Sequence, residues 1–214
     1  MLKNLKKFVH YMGLDSMRIN GHKYFNIDSI KEIFTLFGEN LRIPVHGLLI
    51  GGGTMGLKGI KDATKDVDLV IMDDREYNAF LTTAIQLGFQ DMTVSFPAYH
   101  NLKTKVLVNE DEFHIDLFSS SVCGKLTIHD GMMKRSEHIG SFGILRISLM
   151  SNEDLLIAKS VTGRDRDLED MYSLYLRELD ENIIIGEMNV QDECTERNWE
   201  AFMVGRLDAL EGWC

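Results

Sequence analysis

The sequence predicts an α+β fold, a mixed β-sheet flanked by helices and followed by a helical C-terminal part. Three observations carry this. Short apolar runs of strand length occur at residues 46–50, 67–72, 103–108 and 112–118. Segments of helical period lie between some of them. Beyond about residue 149 the strand texture stops and only helical patterns follow. The division is therefore 1–149 as an α/β core with N-terminal helices and 150–214 as a helical part, without an evident linker. A chain of 214 residues, 44% hydrophobic, suffices for one ordinary core or for one domain with a small helical annex.

In chain order, residues 1–25 open with a basic amphipathic stretch (Leu2, Leu5, Phe8, Val9, Met12). Asp28 reads as an N-cap, with Ile30, Ile33, Phe34 and Phe37 at helical spacing and Gly38 as the stop. A strand at 46–50 runs into glycines, and a second strand follows at 67–72. A helix is expected over 74–87, closed by Gly88. Residues 103–108 and 112–118 form a hairpin around Asn109–Asp111, and 143–149 a further strand. Ser151 and Asp154 resemble a capping box, with Asp in place of the usual Glu or Gln. Helices are expected over 152–162 and 166–179, parted by Gly163. A last helix over 196–210 has Trp199, Phe202, Met203, Leu207 and Leu210 as its apolar side.

Composition narrows the function classes. Two prolines and a charged fraction of 26% argue against a disordered chain. A formal net charge of −10 argues against non-specific binding to DNA or a membrane surface, although a local patch or bound metal ions can reverse the sign. The three cysteines form no CxxC pair, so reduced thiols in a cytoplasm are expected rather than a disulfide framework. No signal peptide is expected. No segment approaches the ~18 apolar residues of a membrane span, and no membrane partner is expected. The seven histidines show no paired ligand spacing, so zinc is not expected.

The chemistry concentrates in residues 48–71, LLIGGGTMGLKGIKDATKDVDLVI. Gly51, Gly53 and Gly56 satisfy G-x-G-x-x-G after a strand, and Asp73 and Asp74 lie near the distance of a ribose-binding acid. A dinucleotide fold also needs a crossover helix behind the glycines, and MGLKGIKDATKDV has too few apolar positions for one. A P-loop is absent, because no glycine precedes Lys and Ser or Thr at the required spacing.

The aspartates support a third reading. Strand side chains alternate, so Asp66 and Asp68 project to one side. Two carboxylates that close repel, and burying both ionised is costly unless cations intervene. Mg²⁺ suits such oxygen ligands and completes its shell with water and substrate phosphates. In EFHIDLF, Asp116 interrupts an apolar strand and offers a third carboxylate, with His114 on the same face. A glycine turn beside such a centre lets backbone N–H groups reach phosphate oxygens.

GG followed by G-I-x-x-A-T-K-D-V-D-L, with a later strand aspartate, resembles the minimal nucleotidyltransferases of the DNA polymerase β superfamily. The likeness is nearest to the AbiEii-type toxin-related nucleotidyltransferases. It continues in LMSNEDLLIAKSVTGRDRDLEDMYSL and covers roughly residues 45–176. One departure is Asp62, where such proteins often carry arginine. The resemblance implies a nucleotidyltransferase-like sheet, a nucleoside triphosphate substrate and two Mg²⁺ ions, with Mn²⁺ as an alternative. It implies that Gly51, Gly52, Thr54, Lys159 and Asp167 bind the nucleotide. Asp66, Asp68 and Asp116 are then both the metal ligands and the catalytic residues. An acceptor hydroxyl, on tRNA or on a protein, would attack the α-phosphorus and release pyrophosphate. A toxin with a cognate antitoxin is one setting it implies. Read from its residues alone, Lys159 is equally a solvated surface lysine, and Asp167 and Asp170 are equally helix-terminal acids. The other functional readings are a non-catalytic nucleotide-binding module and, behind it, a Rossmann-type dinucleotide-binding protein.

Overall fold

A computed structural model describes residues 16–19, 22–96, 104–162 and 164–211. The expected amphipathic start within residues 1–15, Lys103 and the Gly163 break lie outside them.

A hairpin of β1 (Ser16–Ile19) and β2 (His22–Phe25) precedes α1 (Ile27–Asn40). The cap of α1 is Asn26, whose side chain accepts from the Ser29 N–H at 2.9 Å, and the expected cap Asp28 lies in the first turn. The helix also runs through Gly38 rather than ending there. Glycine is needed at that point because a Cβ would collide with the Phe142 carbonyl. Then come β3 (Val45–Ile50), α2 (Gly51–Leu57), β4 (Asp66–Val70) and α3 (Asp74–Gln86), the last capped by Asp73. After the short β5 (Gln90–Asp91), the expected hairpin is present as β6 (Thr104–Val108) and β7 (His114–Phe118). Its turn is held by the Asn109 side chain, which accepts from the Phe113 N–H at 2.8 Å.

Four elements went unread in the sequence between 119 and 142: β8 (Ser121–Val122) and β9 (Leu126–Thr127), which form a small hairpin, α4 (Asp130–Arg135) and β10 (Glu137–Phe142). The strand β11 (Leu145–Leu149) closes the sheet. Ser151 does cap α5 (Asn152–Ser160), accepting from the Asp154 N–H at 3.1 Å. It is followed by α6 (Asp165–Tyr175), the unexpected α7 (Glu181–Thr195) and α8 (Trp199–Glu211). The last helix starts later than expected because Glu196, in the left-handed conformation, terminates α7.

Among the described residues the main sheet is seven-stranded, in the order β10-β11-β3-β4-β7-β6-β5. The pairs β11–β3 and β4–β7 are parallel and the others antiparallel. Alternation divides its residues between two cores. Leu49, Val67, Leu69, Ile115 and Leu117 face α1 and α3, where Phe37 stacks on Phe80 at 4.2 Å. Leu48, Ile50, Val70 and Phe118 face the C-terminal helices and pack with Leu155, Leu168, Met171 and Trp199. Trp199 and Met203 are buried as the helical spacing of α8 predicts, whereas Phe202 is exposed. Among the described residues no helix is long and apolar enough to cross a membrane.

Candidate active site

The second face of the sheet changes character along two adjacent parallel strands. On β4 it carries Asp66, Asp68 and then Val70. On β7 it carries His114, Asp116 and then Phe118. Register pairs Asp66 with His114, Asp68 with Asp116 and Val70 with Phe118. Residues in register on parallel strands project to the same face. All three expected carboxylates, with His114, therefore occupy one polar patch at the N-terminal ends of both strands. The C-terminal helices cover the apolar half beyond it.

On the other side of β4, Ile50 pairs with Asp68, and the chain turns at once into α2. Gly51 makes that turn with φ +62°, and a Cβ there would overlap the Asp68 carboxylate. Both the backbone conformation and the space demand glycine. A Cβ on Gly52 would press on the Thr64 hydroxyl at 2.8 Å, while that hydroxyl donates to the Asp66 carbonyl at 2.9 Å. The glycine corner is thus packed directly against the acids. The expected open glycine turn is in fact the first turn of a seven-residue helix. Antiparallel pairing of β3 with β4, without a crossover helix between them, removes the dinucleotide-binding reading.

Thr54 is a correction. It is fully buried inside α2, and its hydroxyl donates to the Leu49 carbonyl. Its location in the interior leaves nothing for a phosphate to reach. Of the two readings of Lys159, the solvated surface lysine is removed, because the side chain is buried. Its ammonium pairs with Asp167 and Asp170, each at 2.7 Å. Burial pushes that ammonium down, but Asp170 and Asp167 outweigh it and hold it above the ordinary lysine value. Asp167 is also buried and accepts from Lys159, Thr162 and Arg164. Burial pushes the Asp167 carboxyl up, but these donors, Lys159 foremost, bring it down to about 2. Asp170 is more than a helix-terminal acid, because its second oxygen takes Lys61 from the segment between α2 and β4. Lys58 is tied down as well, donating to Asn152 at 3.1 Å.

Two groups of opposite charge meet at Asp68. Its carboxyl is pushed up to about 6, first by burial and then by Asp66, against the pull of Lys159, Arg164 and Arg166. Among the described residues no group of three or more His, Cys, Asp or Glu side chains stands assembled to hold a metal ion. The donor set nevertheless fits a hard divalent cation in kind: carboxylate oxygens on one sheet face, with Asp68 strained by its neighbour's charge in a way that a cation relieves.

A second buried polar cluster escaped sequence reasoning. Arg135 holds Asp154 through two hydrogen bonds, 2.8 and 3.2 Å, and also pairs with Glu187. His129 lies 2.8 Å from Glu187, and Gln191 joins Glu187 to the β9 backbone at Thr127. The available signal was Glu187 and Gln191 at i,i+4 spacing, which a search for apolar stripes ignores.

The mixed sheet, the strand acids and the glycine corner define a nucleotidyltransferase-like fold. The chain belongs to the DUF6036 family, described as a nucleotidyltransferase of unknown function, whose family model matches residues 22–203. No curated protein matches it.

Proposed function

We propose that the chain transfers a nucleoside monophosphate from a nucleoside triphosphate to an acceptor hydroxyl, with release of pyrophosphate. The observation that carries this reading is the register of Asp68 with Asp116, with Asp66 on the same face and Gly51 against the Asp68 carboxylate. Asp66 and Asp68 would hold two Mg²⁺ (or Mn²⁺) ions and Asp116 the one on the acceptor side. When bound, such ions stabilise the attacking and leaving oxygens of an in-line displacement. Asp116 would also accept the acceptor hydroxyl's proton. Gly51 and Gly52, lacking a Cβ, bring the backbone close to the acids, where their N–H groups would meet a phosphate. Lys159, held by Asp167 and Asp170, would supply a fixed positive charge acting on Asp68. We place the acceptor on tRNA or a protein, as in the toxin half of a toxin–antitoxin pair resembling the AbiEii type.

The test is incubation with each labelled triphosphate, Mg²⁺ and total tRNA or protein extract. Label transfer is expected in the native chain and is lost in Asp66→Ala and Asp68→Ala. Transfer that survives either substitution overturns the assignment of these acids. A second reading, a nucleotide-binding module without turnover, is favoured by the engagement of Lys159 in two buried ion pairs. It predicts a higher melting temperature with triphosphate and no transfer to any acceptor.

A further inference from the structure

Three basic side chains act on Asp68, namely Lys159, Arg164 and Arg166, and a fourth, Lys61, is linked to them through Asp170. Two acids hold three of them. Asp167 takes Lys159 and Arg164, and Asp170 takes Lys159 and Lys61. Arg166 is left over. It is exposed on the first turn of α6. It lies one turn before Asp170, so it shares the helix edge to which Lys61 is drawn. Among the described residues no carboxylate pairs with it. Its positive charge nonetheless acts on Asp68 alongside those of Lys159 and Arg164.

The energies separate these cations. Withdrawing Lys159 toward a ligand would break two buried ion pairs at once, leaving Asp167 to Arg164 and Thr162 and Asp170 to Lys61 alone, and breaking a buried pair is strongly destabilising. Moving an exposed, unpaired guanidinium carries no such cost, and its fork matches two phosphate oxygens at once.

We propose that Arg166 is the residue that grips the β- and γ-phosphates of the bound triphosphate, in place of the immobilised Lys159. This rests on the nucleotidyl-transfer reading above. Arg166 moves onto the phosphate tail while the buried pairs of Lys159 stay intact. Its contribution falls on triphosphate affinity and is absent from the binding of the corresponding nucleoside monophosphate.

The experiment is calorimetric titration of the full chain with the four Mg²⁺–nucleoside triphosphates and their monophosphates, in the native protein, Arg166→Ala and Arg166→Lys. Arg166→Ala is expected to weaken triphosphate binding roughly tenfold or more, the size of one lost charge-assisted contact. Monophosphate binding and the nucleotide-free melting temperature stay at native values. Arg166→Lys recovers part of the loss. Native affinity for triphosphate in Arg166→Ala overturns the role of Arg166 while leaving the nucleotide site standing. An equal loss for triphosphate and monophosphate overturns it too, since the tail is then not what Arg166 reads. A native chain that binds none of the four triphosphates overturns both this proposal and the nucleotidyl-transfer reading. Should Arg166→Ala fail to fold, Arg166→Lys is judged by the same comparison of triphosphate with monophosphate.

Discussion

Asp68 is a half-buried carboxylate and Asp167 a buried one, and their surroundings drive them in opposite directions. Asp68 shares its face with Asp66 and sits under the glycine corner, so ionisation is opposed. Asp167 is met by an ammonium, a guanidinium and a hydroxyl, so ionisation is favoured. The second case gives a pH prediction. The folded Asp167 carboxyl titrates at about 2 and its unfolded counterpart near 3.8. The unfolded chain therefore takes up the proton first, and the stabilisation is fully present above pH ~4 and lost as pH falls toward 2. Its size is about 2 kcal/mol. Thermal melts between pH 2 and 6 should show Asp167→Asn less stable than the native chain at pH 6, with the two converging at the acid end. Parity in the sequence was enough to place Asp66 and Asp68 on one face. That Lys159 is buried was not readable, because its two acids come from the next helix.

Among the elements, α7 shows how a helix can hide from periodicity. Its buried residues are Glu187 and Gln191, while Ile185 and Val190 are exposed. What docks it is the ion cluster with Arg135, Asp154 and His129 as well as apolar contact from Ile184 and Met188. Removing Glu187 leaves the buried end of Arg135 with one acid and takes a partner from Gln191. Glu187→Ala should lower stability by about 3 kcal/mol, in the range for breaking a buried charge pair, read as a lower urea midpoint. Glu187→Gln should lose less. The strand β10 escaped notice for a related reason: its residues are half-buried or exposed, as befits an edge, so no apolar alternation marks it. Gly38 misled in the opposite sense. It has the residue type of a helix stop, but its role is close packing against the β10–β11 turn, where Ile144 N–H donates to the Gly38 carbonyl at 3.5 Å.

At the scale of the molecule, one sheet serves two cores, and the second is completed from both halves of the chain. Leu48, Ile50, Val70 and Phe118 come from the sheet, and Leu155, Leu168, Met171 and Trp199 from the helices beyond residue 149. A chain ending at residue 149 would keep only Met55, Leu126, Ile128 and Met132 of the buried side chains packed with that face and would lose the helices beyond. Burying one such side chain contributes about 1.5–3 kcal/mol, so losing several exceeds the whole stability of an ordinary domain. The truncated chain should show no cooperative unfolding transition and should bind an apolar dye, both checked by fluorescence. A cooperative melt would instead make residues 1–149 an independent domain. The same packing carries function: α6 brings Lys159's two acids and Arg166 to the sheet acids only because its apolar side, Leu168, Met171 and Leu174, is seated on this core.

The sequence by itself determined what neighbours along the chain decide. It specified the parity of Asp66 with Asp68, Asp116 as an intrusion in an apolar strand, the Asn109 hairpin and the Ser151 cap. These depend on contacts a few residues apart, so residue type and spacing suffice. Only the tertiary structure decided that Asp116 stands beside Asp68, that Thr54 is turned inside and that Lys159 is immobilised while Arg166 pairs with no carboxylate among the described residues. Strand pairing and ion pairing join residues far apart in the chain, as Lys61 and Asp170 are. Which charges meet is set there by the packing of whole elements, a quantity that no local pattern encodes.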